Sequence, residues 1–115
     1  MLTCARIGFS QQSKVPPEVW QKAKIEGIVR VIVGLNVPWQ PEGNLSKEAM
    51  LAQRQAIAAA QDELLAELAG MEHRVVRRFG NITGLALDVG LDALAVLEGS
   101  SRVVRVTEDR VTGLH

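Results

Sequence analysis

Cysteine and histidine are scarce in this sequence, and their scarcity argues against several kinds of site. The 115 residues include one cysteine, Cys4, and two histidines, His73 and His115. One cysteine cannot close an internal disulfide bond, and no Cys/His cluster has the spacing of a zinc site. Two isolated histidines do not suggest a serine-type triad, which needs a histidine between a serine and an acid. We therefore expect no metal, no cofactor and no enzymatic activity.

Aromatic residues and net charge are equally low. Aromatic side chains make up 3% of the sequence, and thirteen basic residues balance thirteen acidic ones. A neutral chain gives no bulk attraction to nucleic acid or to an anionic membrane. No apolar run reaches membrane-spanning length, and the N-terminus lacks the apolar region of a signal peptide. Either the protein is cytosolic or its true N-terminus lies elsewhere.

Residues 28–35 are rich in β-branched side chains and are bounded by glycine and asparagine. This run predicts a strand. Side chains alternate along a strand, so this run has two faces. One face carries Val29, Val31, Val33 and Leu35, and the other carries Ile28, Arg30, Ile32 and Gly34. Both faces are partly apolar. Either the strand is central in a sheet, or its second face meets something outside the chain.

Three more strands are predicted at residues 72–79, 82–89 and 103–106, with a hairpin turn at Gly80-Asn81 between the first two. Arg74, Arg77 and Arg78 are interpreted as a solvated strand edge. In the third strand the large residues share one face, and Gly84, Ala86 and Asp88 share the other. Val103 and Val106 cannot both face a core in a regular strand, so we expect a β-bulge there.

Three helices separate these strands. A short helix starts at Pro16-Pro17 and ends at Gly27, a long one runs from an N-cap at Ser46 to residue 69, and a third covers residues 91–98. The loop at residues 36–45 contains Trp39. This ring either pins the loop to the surface or contacts a partner, since exposed aromatic residues are enriched at interfaces.

The element order after the leading helix is β-α-β-β-α-β, which favours an α+β fold, the ferredoxin-like sandwich. Its four-stranded antiparallel sheet carries two helices on one face and leaves the other bare. Ile32, Gly34, Gly84 and Ala86 would line the bare face. So many apolar or small residues on an exposed face suggest a surface for a partner. An RNA-recognition module has the same element order, but it needs aromatic rings on its central strands, which this chain lacks.

Residues 29–115 resemble the propeptides of subtilisin-like serine proteases. Val31-Ile32-Val33-Gly34-Leu35 is similar to their first strand, and residues 75–79 and 82–89 are similar to their hairpin. The closing helix and a Val-x-x-Val-x-Glu-Asp ending are matched by Leu94, Leu97, Val103, Val106, Glu108 and Asp109. The loop at residues 37–43 and the alanine-rich helix resemble those of bacterial subtilase precursors in particular.

The resemblance implies a non-catalytic prosegment that acts as an intramolecular chaperone and tight-binding inhibitor of a subtilisin-like protease domain, in cis or in trans. In this family the bare sheet face packs on two protease helices, whose unsatisfied N–H groups attract carboxylates. The implied sheet contacts are Arg30, Ile32, Gly34, Gly84 and Ala86, and the implied helix caps are Glu108 and Asp109. The tail that would occupy the protease cleft includes Thr112, Gly113, Leu114 and His115, with His115 in the primary specificity pocket.

This interpretation divides the chain into a disordered N-terminus (1–14), a propeptide-like domain (15–109) and a flexible tail (110–115). The free chain is expected to be a monomer, and the resemblance implies secretion or a periplasmic location. Two alternatives stay open. One is a ferredoxin-like regulatory or assembly domain that dimerises or binds a small ligand through the bare sheet face. The other is a processed fragment with no activity of its own.

Overall fold

The computed structural model describes residues 14–109. The helices are α1 (Pro17–Glu26), α2 (Lys47–Glu67) and α3 (Leu91–Gly99), and a short 3₁₀ helix spans Glu42–Asn44. The strands are β1 (Val29–Leu35), β2 (His73–Arg78), β3 (Gly84–Val89) and β4 (Val103–Glu108). Thr112, Gly113, Leu114 and His115 lie outside the described residues, as does Cys4.

The four strands form one sheet in the order β2-β3-β1-β4, and every neighbouring pair is antiparallel. Strand β1 is therefore central, one of the two arrangements that its partly apolar faces allowed. The order and direction of the strands confirm the ferredoxin-like α+β fold. No helix within residues 14–109 is long and apolar enough to span a membrane.

One face of the sheet carries the hydrophobic core. Burial alternates strictly along β1, and Val29, Val31, Val33 and Leu35 are all nearly inaccessible to solvent. Full burial of one such side chain contributes about 1.5–3 kcal/mol. All three helices place residues in the same core, so α1 joins α2 and α3 in the helix layer. Their buried residues include Val19, Ala23, Leu64, Leu94 and Leu97.

Strand β4 contains the expected bulge. Gly34 pairs with Arg105 and Leu35 pairs with Val103, so Val104 is an extra residue on β4. The shift turns both Val103 and Val106 into the core, where each is at most 2% exposed. This confirms the prediction made from their spacing.

The connection from β2 to β3 is wider than the predicted turn at Gly80-Asn81. Strand β3 begins at Gly84, and Ile82 lies in the loop. The Thr83 carbonyl accepts a hydrogen bond from the Leu35 amide at 2.9 Å, which ties the loop to the end of β1. A hairpin of two turn residues was the wrong prediction, because the loop bonds to β1 instead of continuing the β2–β3 ladder.

The ends of the helices follow local sequence signals. The Ser46 hydroxyl accepts a hydrogen bond from the Ala49 amide at 3.1 Å, as the predicted N-cap of α2 should. Gly27 ends α1 with a φ of 87°, in the left-handed region that glycine tolerates. Lys14 precedes α1, and its carbonyl accepts from the Val106 amide at 3.0 Å. The chain is thus fastened to β4 from Lys14 onward.

Candidate binding surface on the open face of the sheet

The helices pack on one face of the sheet, and the sequence-predicted partner residues meet on the other. We call this other side the open sheet face. Ile32 pairs with Ala86 and Gly34 pairs with Gly84 across β1 and β3, so the four lie side by side at its centre. Arg30 pairs with Asp88 beside them. The outer strands add Arg74, Arg77, Arg105 and Thr107, which the sequence reasoning did not assign to this surface.

A pocket of about 260 Å³ lies at one end of this face. We call it the sheet-face pocket. It is lined by Ile32, Val33, Gly34, Trp39, Phe79, Ile82, Thr83, Gly84, Arg105 and Thr107. Gly34 and Gly84 form part of its floor, and the space beside Gly84 is tight. A Cβ atom on Gly84 would lie 3.0 Å from the Val33 carbonyl oxygen and 3.7 Å from the Phe79 ring.

Trp39 forms part of the pocket wall and is held by a single hydrogen bond. Its indole Nε1 donates to the Asn81 carbonyl at 2.8 Å, which joins the loop after β1 to the loop before β3. The side chain nevertheless stays 43% exposed. The loop-pinning interpretation of Trp39 is confirmed, and contact with a partner stays a prediction.

Gln61 of α2 supports the rim of the pocket from the helix side. It is 2% exposed, and its Nε2 donates to the carbonyls of Phe79 and Gly84 at 2.8 and 2.9 Å. Arg78 Nε donates to Gln61 Oε1 at 3.0 Å. Because the buried amide of Gln61 bonds to both Phe79 and Gly84, it fixes the position of these two pocket residues. This role could not be predicted from the sequence, because a polar residue on a helix is usually solvated.

The arginines of β2 separate into different roles. Arg74 stays on the solvated face, whereas Arg78 turns to the helix layer and pairs with Asp62 of α2 at 2.8 Å. A register shift between Val75 and Arg77 produces this split. The guanidinium of Arg77 lies 5.5 Å from the centroid of the Phe79 ring, a cation–π contact at the pocket edge. All three arginines lie on the exposed edge strand β2, as predicted, and Arg78 in addition bonds to α2.

Asp88 is the acidic centre of the opposite end of the open sheet face. Arg30 Nε donates to it at 2.8 Å and Arg74 Nη2 at 2.6 Å, so one carboxylate links β1, β2 and β3. These hydrogen bonds, the one from Arg30 above all, lower the pKa of Asp88 from its usual value. A carboxylate held ionised between two arginines is poorly suited to act as an acid or base.

Arg77 and Arg105 stand on the same face without an acidic partner. Within residues 14–109 no carboxylate lies in ion-pair distance of either guanidinium. Asp88 balances only part of the charge of Arg30 and Arg74. The open sheet face is therefore cationic although the whole chain carries no net charge.

The two acidic residues at the end of β4, Glu108 and Asp109, have different surroundings. Glu108 pairs with Val31 in the register of the sheet and accepts a hydrogen bond from Lys22 of α1 at 2.7 Å. It therefore lies toward the helix layer. Asp109 follows it, and its amide donates to the Arg30 carbonyl at 2.9 Å. Of the two, only Asp109 lies next to a residue of the open sheet face.

Within residues 14–109 no three His, Cys, Asp or Glu side chains converge in a way that could hold a metal ion. The open sheet face combines an apolar pocket, small residues at its centre and two guanidinium groups that have no carboxylate partner within residues 14–109.

Comparison of the chain with protein-family models, curated proteins and solved structures found no match.

Proposed function

We propose that this chain is a propeptide-like domain of a subtilisin-type serine protease, acting as folding chaperone and inhibitor. The observation that carries the proposal is the open sheet face, a strip of small and apolar residues beside an acidic strand end. This surface supports the proposal beside the sequence resemblance, because small residues suit close contact with protease helices and a carboxylate suits the N-terminus of a helix.

The centre of this face suits close approach by another backbone. Gly34 and Gly84 face each other across the two central strands, and Ala86 adds only a methyl group. Small residues in a strand often mark a place where another chain approaches closely. At these positions two helices of a protease could approach the sheet closely. The helices of the described fold contribute to the core on the other side of the sheet, while neighbouring side chains leave Ala86 only 4% exposed.

The acidic strand end offers one well-placed helix cap. The first N–H groups of a helix have no internal partners, and the dipole there attracts a carboxylate. Asp109 adjoins Arg30 on the open sheet face, whereas Glu108 is engaged by Lys22. We therefore assign the principal capping role to Asp109. Glu108 would serve mainly to hold β4 against α1.

The tail after Asp109 completes the proposal on the strength of the resemblance. It would lie in the active-site cleft like a cleaved product, with His115 in the primary specificity pocket. The sheet face and the tail would then share the binding energy, and loss of either should weaken inhibition.

The test is inhibition of a panel of purified subtilisins by the full chain and by a version that ends at Asp109. Thr107→Arg adds a bulky cation to the open sheet face, and Ala59→Arg adds the same group to the exposed side of α2 as a matched control. We expect at least a ten-fold loss of inhibition on tail removal and on Thr107→Arg, and no change for Ala59→Arg.

Circular dichroism shows whether each variant is folded, and sedimentation shows its oligomeric state. A folded full-length chain that inhibits none of the panel would count against the proposal. A dimer that forms equally well without the tail and is disrupted by Thr107→Arg would favour the assembly-domain alternative.

A further inference from the structure

The sheet-face pocket combines apolar walls with one cationic group. Trp39, Phe79 and Ile82 surround it, and the Trp39 and Ile82 side chains are each more than 40% exposed. Large apolar side chains that remain exposed around a concavity are a feature of binding sites. The pocket volume of about 260 Å³ lies near the lower end for ligand sites, so its occupant must be small.

Arg105 supplies the charge. Its Nε lies 3.9 Å from where a Cβ on Gly34 would stand, so the guanidinium group lies beside Gly34 at the pocket. It has no acidic partner within residues 14–109. Guanidinium groups bind carboxylates with two parallel hydrogen bonds, a geometry that ammonium groups cannot provide. The Thr107 side chain lines the same pocket.

We propose that the sheet-face pocket binds a small carboxylate with an apolar body, such as an arylalkanoic acid. The apolar body would pack against Trp39 and Phe79, and the carboxylate would pair with Arg105. Arg77, which lies over the Phe79 ring, adds to the positive field at the rim. This binding function does not depend on a protease.

Other small ligands fit the pocket less well. A cation would face Arg105 and Arg77, while the carboxylate of Asp88 lies at the opposite end of the face and is already held by two arginines. A compact polyanion such as inorganic phosphate would leave the apolar walls exposed. A neutral apolar molecule would leave the guanidinium of Arg105 unpaired. An apolar carboxylate alone uses both parts of the site.

The experiment titrates 4-phenylbutyrate into the full-length chain and follows its amide NMR spectrum. The expected probes are the amides of Gly34 and Gly84 and the indole N–H of Trp39, which reports on its bond to Asn81. A ligand of this size should bind with a dissociation constant of about 1 mM. The neutral 4-phenylbutanol is the matched ligand without charge.

Two variants separate local from general charge effects. Arg105→Gln removes the guanidinium from the pocket, and Arg74→Gln removes the same charge from the distant end of the open sheet face. We expect Arg105→Gln to weaken 4-phenylbutyrate about five-fold, which corresponds to one partly exposed ion pair. Arg74→Gln should change the affinity less than two-fold, and 4-phenylbutanol should bind the native chain about five-fold more weakly.

The proposal is overturned if the Gly34, Gly84 and Trp39 signals do not shift, or if the alcohol binds as well as the acid. Equal effects of Arg105→Gln and Arg74→Gln would also overturn it. If Arg105→Gln disturbed the fold, the comparison of acid and alcohol on the native chain would still decide the question. The result is independent of subtilisin inhibition, so failure of this inference and failure of the proposed function can be told apart.

Discussion

Adding one methyl group at Gly34 should make the folded chain more stable and its binding to ligands weaker. Gly34 lies in the central strand and does not need a positive φ, so alanine can adopt its backbone conformation. The added Cβ would meet Val104 Cγ2 at 3.5 Å and the Arg105 carbonyl oxygen at 3.6 Å, both ordinary contacts. Alanine also restricts the unfolded chain more than glycine does. We therefore expect Gly34→Ala to raise the free energy of unfolding by about 0.4–1 kcal/mol.

Gly84→Ala is the matched comparison, because Gly84 is the register partner of Gly34 on β3. Its Cβ would lie 3.0 Å from the Val33 carbonyl oxygen, which is backbone and cannot move aside easily. The entropic gain should therefore be cancelled or exceeded by strain. Urea unfolding followed by circular dichroism measures both variants, and Gly34→Ala should also raise the melting temperature by about 2–5 °C.

The binding half of the prediction has the opposite sign. The methyl group of Gly34→Ala would occupy the floor of the sheet-face pocket and the strip on which a protease helix is proposed to rest. Inhibition of subtilisin and binding of 4-phenylbutyrate should both weaken while stability rises. A Gly34→Ala chain that is less stable than the native one, or no more stable than Gly84→Ala, would refute the steric argument.

Three further predictions concern the supports of the surface. Gln61→Ala should lower the free energy of unfolding by about 2 kcal/mol, because it leaves buried hydrogen-bonding groups without partners; Gln55→Ala, at an exposed position of α2, should change it little in the same urea titration. Asp88→Asn should destabilise the chain by about 1 kcal/mol at neutral pH. Because the folded-state pKa of Asp88 is lowered, its contribution is present above roughly pH 4 and is lost as the pH falls through the folded value, so native and variant melting temperatures should converge in acid. Asp109→Asn should weaken subtilisin inhibition more than Glu108→Gln does, while Glu108→Gln should cause the larger loss of thermal stability; the reverse order would remove the capping role from Asp109.

The parts of the fold that could be predicted are those where a core imposes a period on the sequence. The alternation in β1 and the bulge implied by Val103 and Val106 follow from which side chains must be buried, and the N-cap at Ser46 follows from the unpaired amides of the first helical turn. Each of these signals lies within a few neighbouring residues, so a single sequence is enough to recognise it.

The pocket could not be predicted because its members come together only through pairing between distant segments. Strand β2 is an edge strand, largely exposed, and so carries no apolar period that would reveal its register shift before Arg77. Arg105 lies beside Gly34 only because β4, at the far end of the described chain, pairs with β1. The ion pair of Glu108 could not be predicted either, because its partner Lys22 lies on a helix that is distant in the sequence.

The central place of β1 bears on how the chain is made. Both edges of this strand are satisfied by β3 and β4, which are synthesised much later. A nascent chain therefore emerges from the ribosome with an apolar, β-branched strand whose hydrogen-bonding groups have no sheet to join. Such a segment is prone to pair with other chains. Productive folding must wait for the last third of the sequence, and truncations that remove β4 should aggregate instead of forming a smaller stable domain.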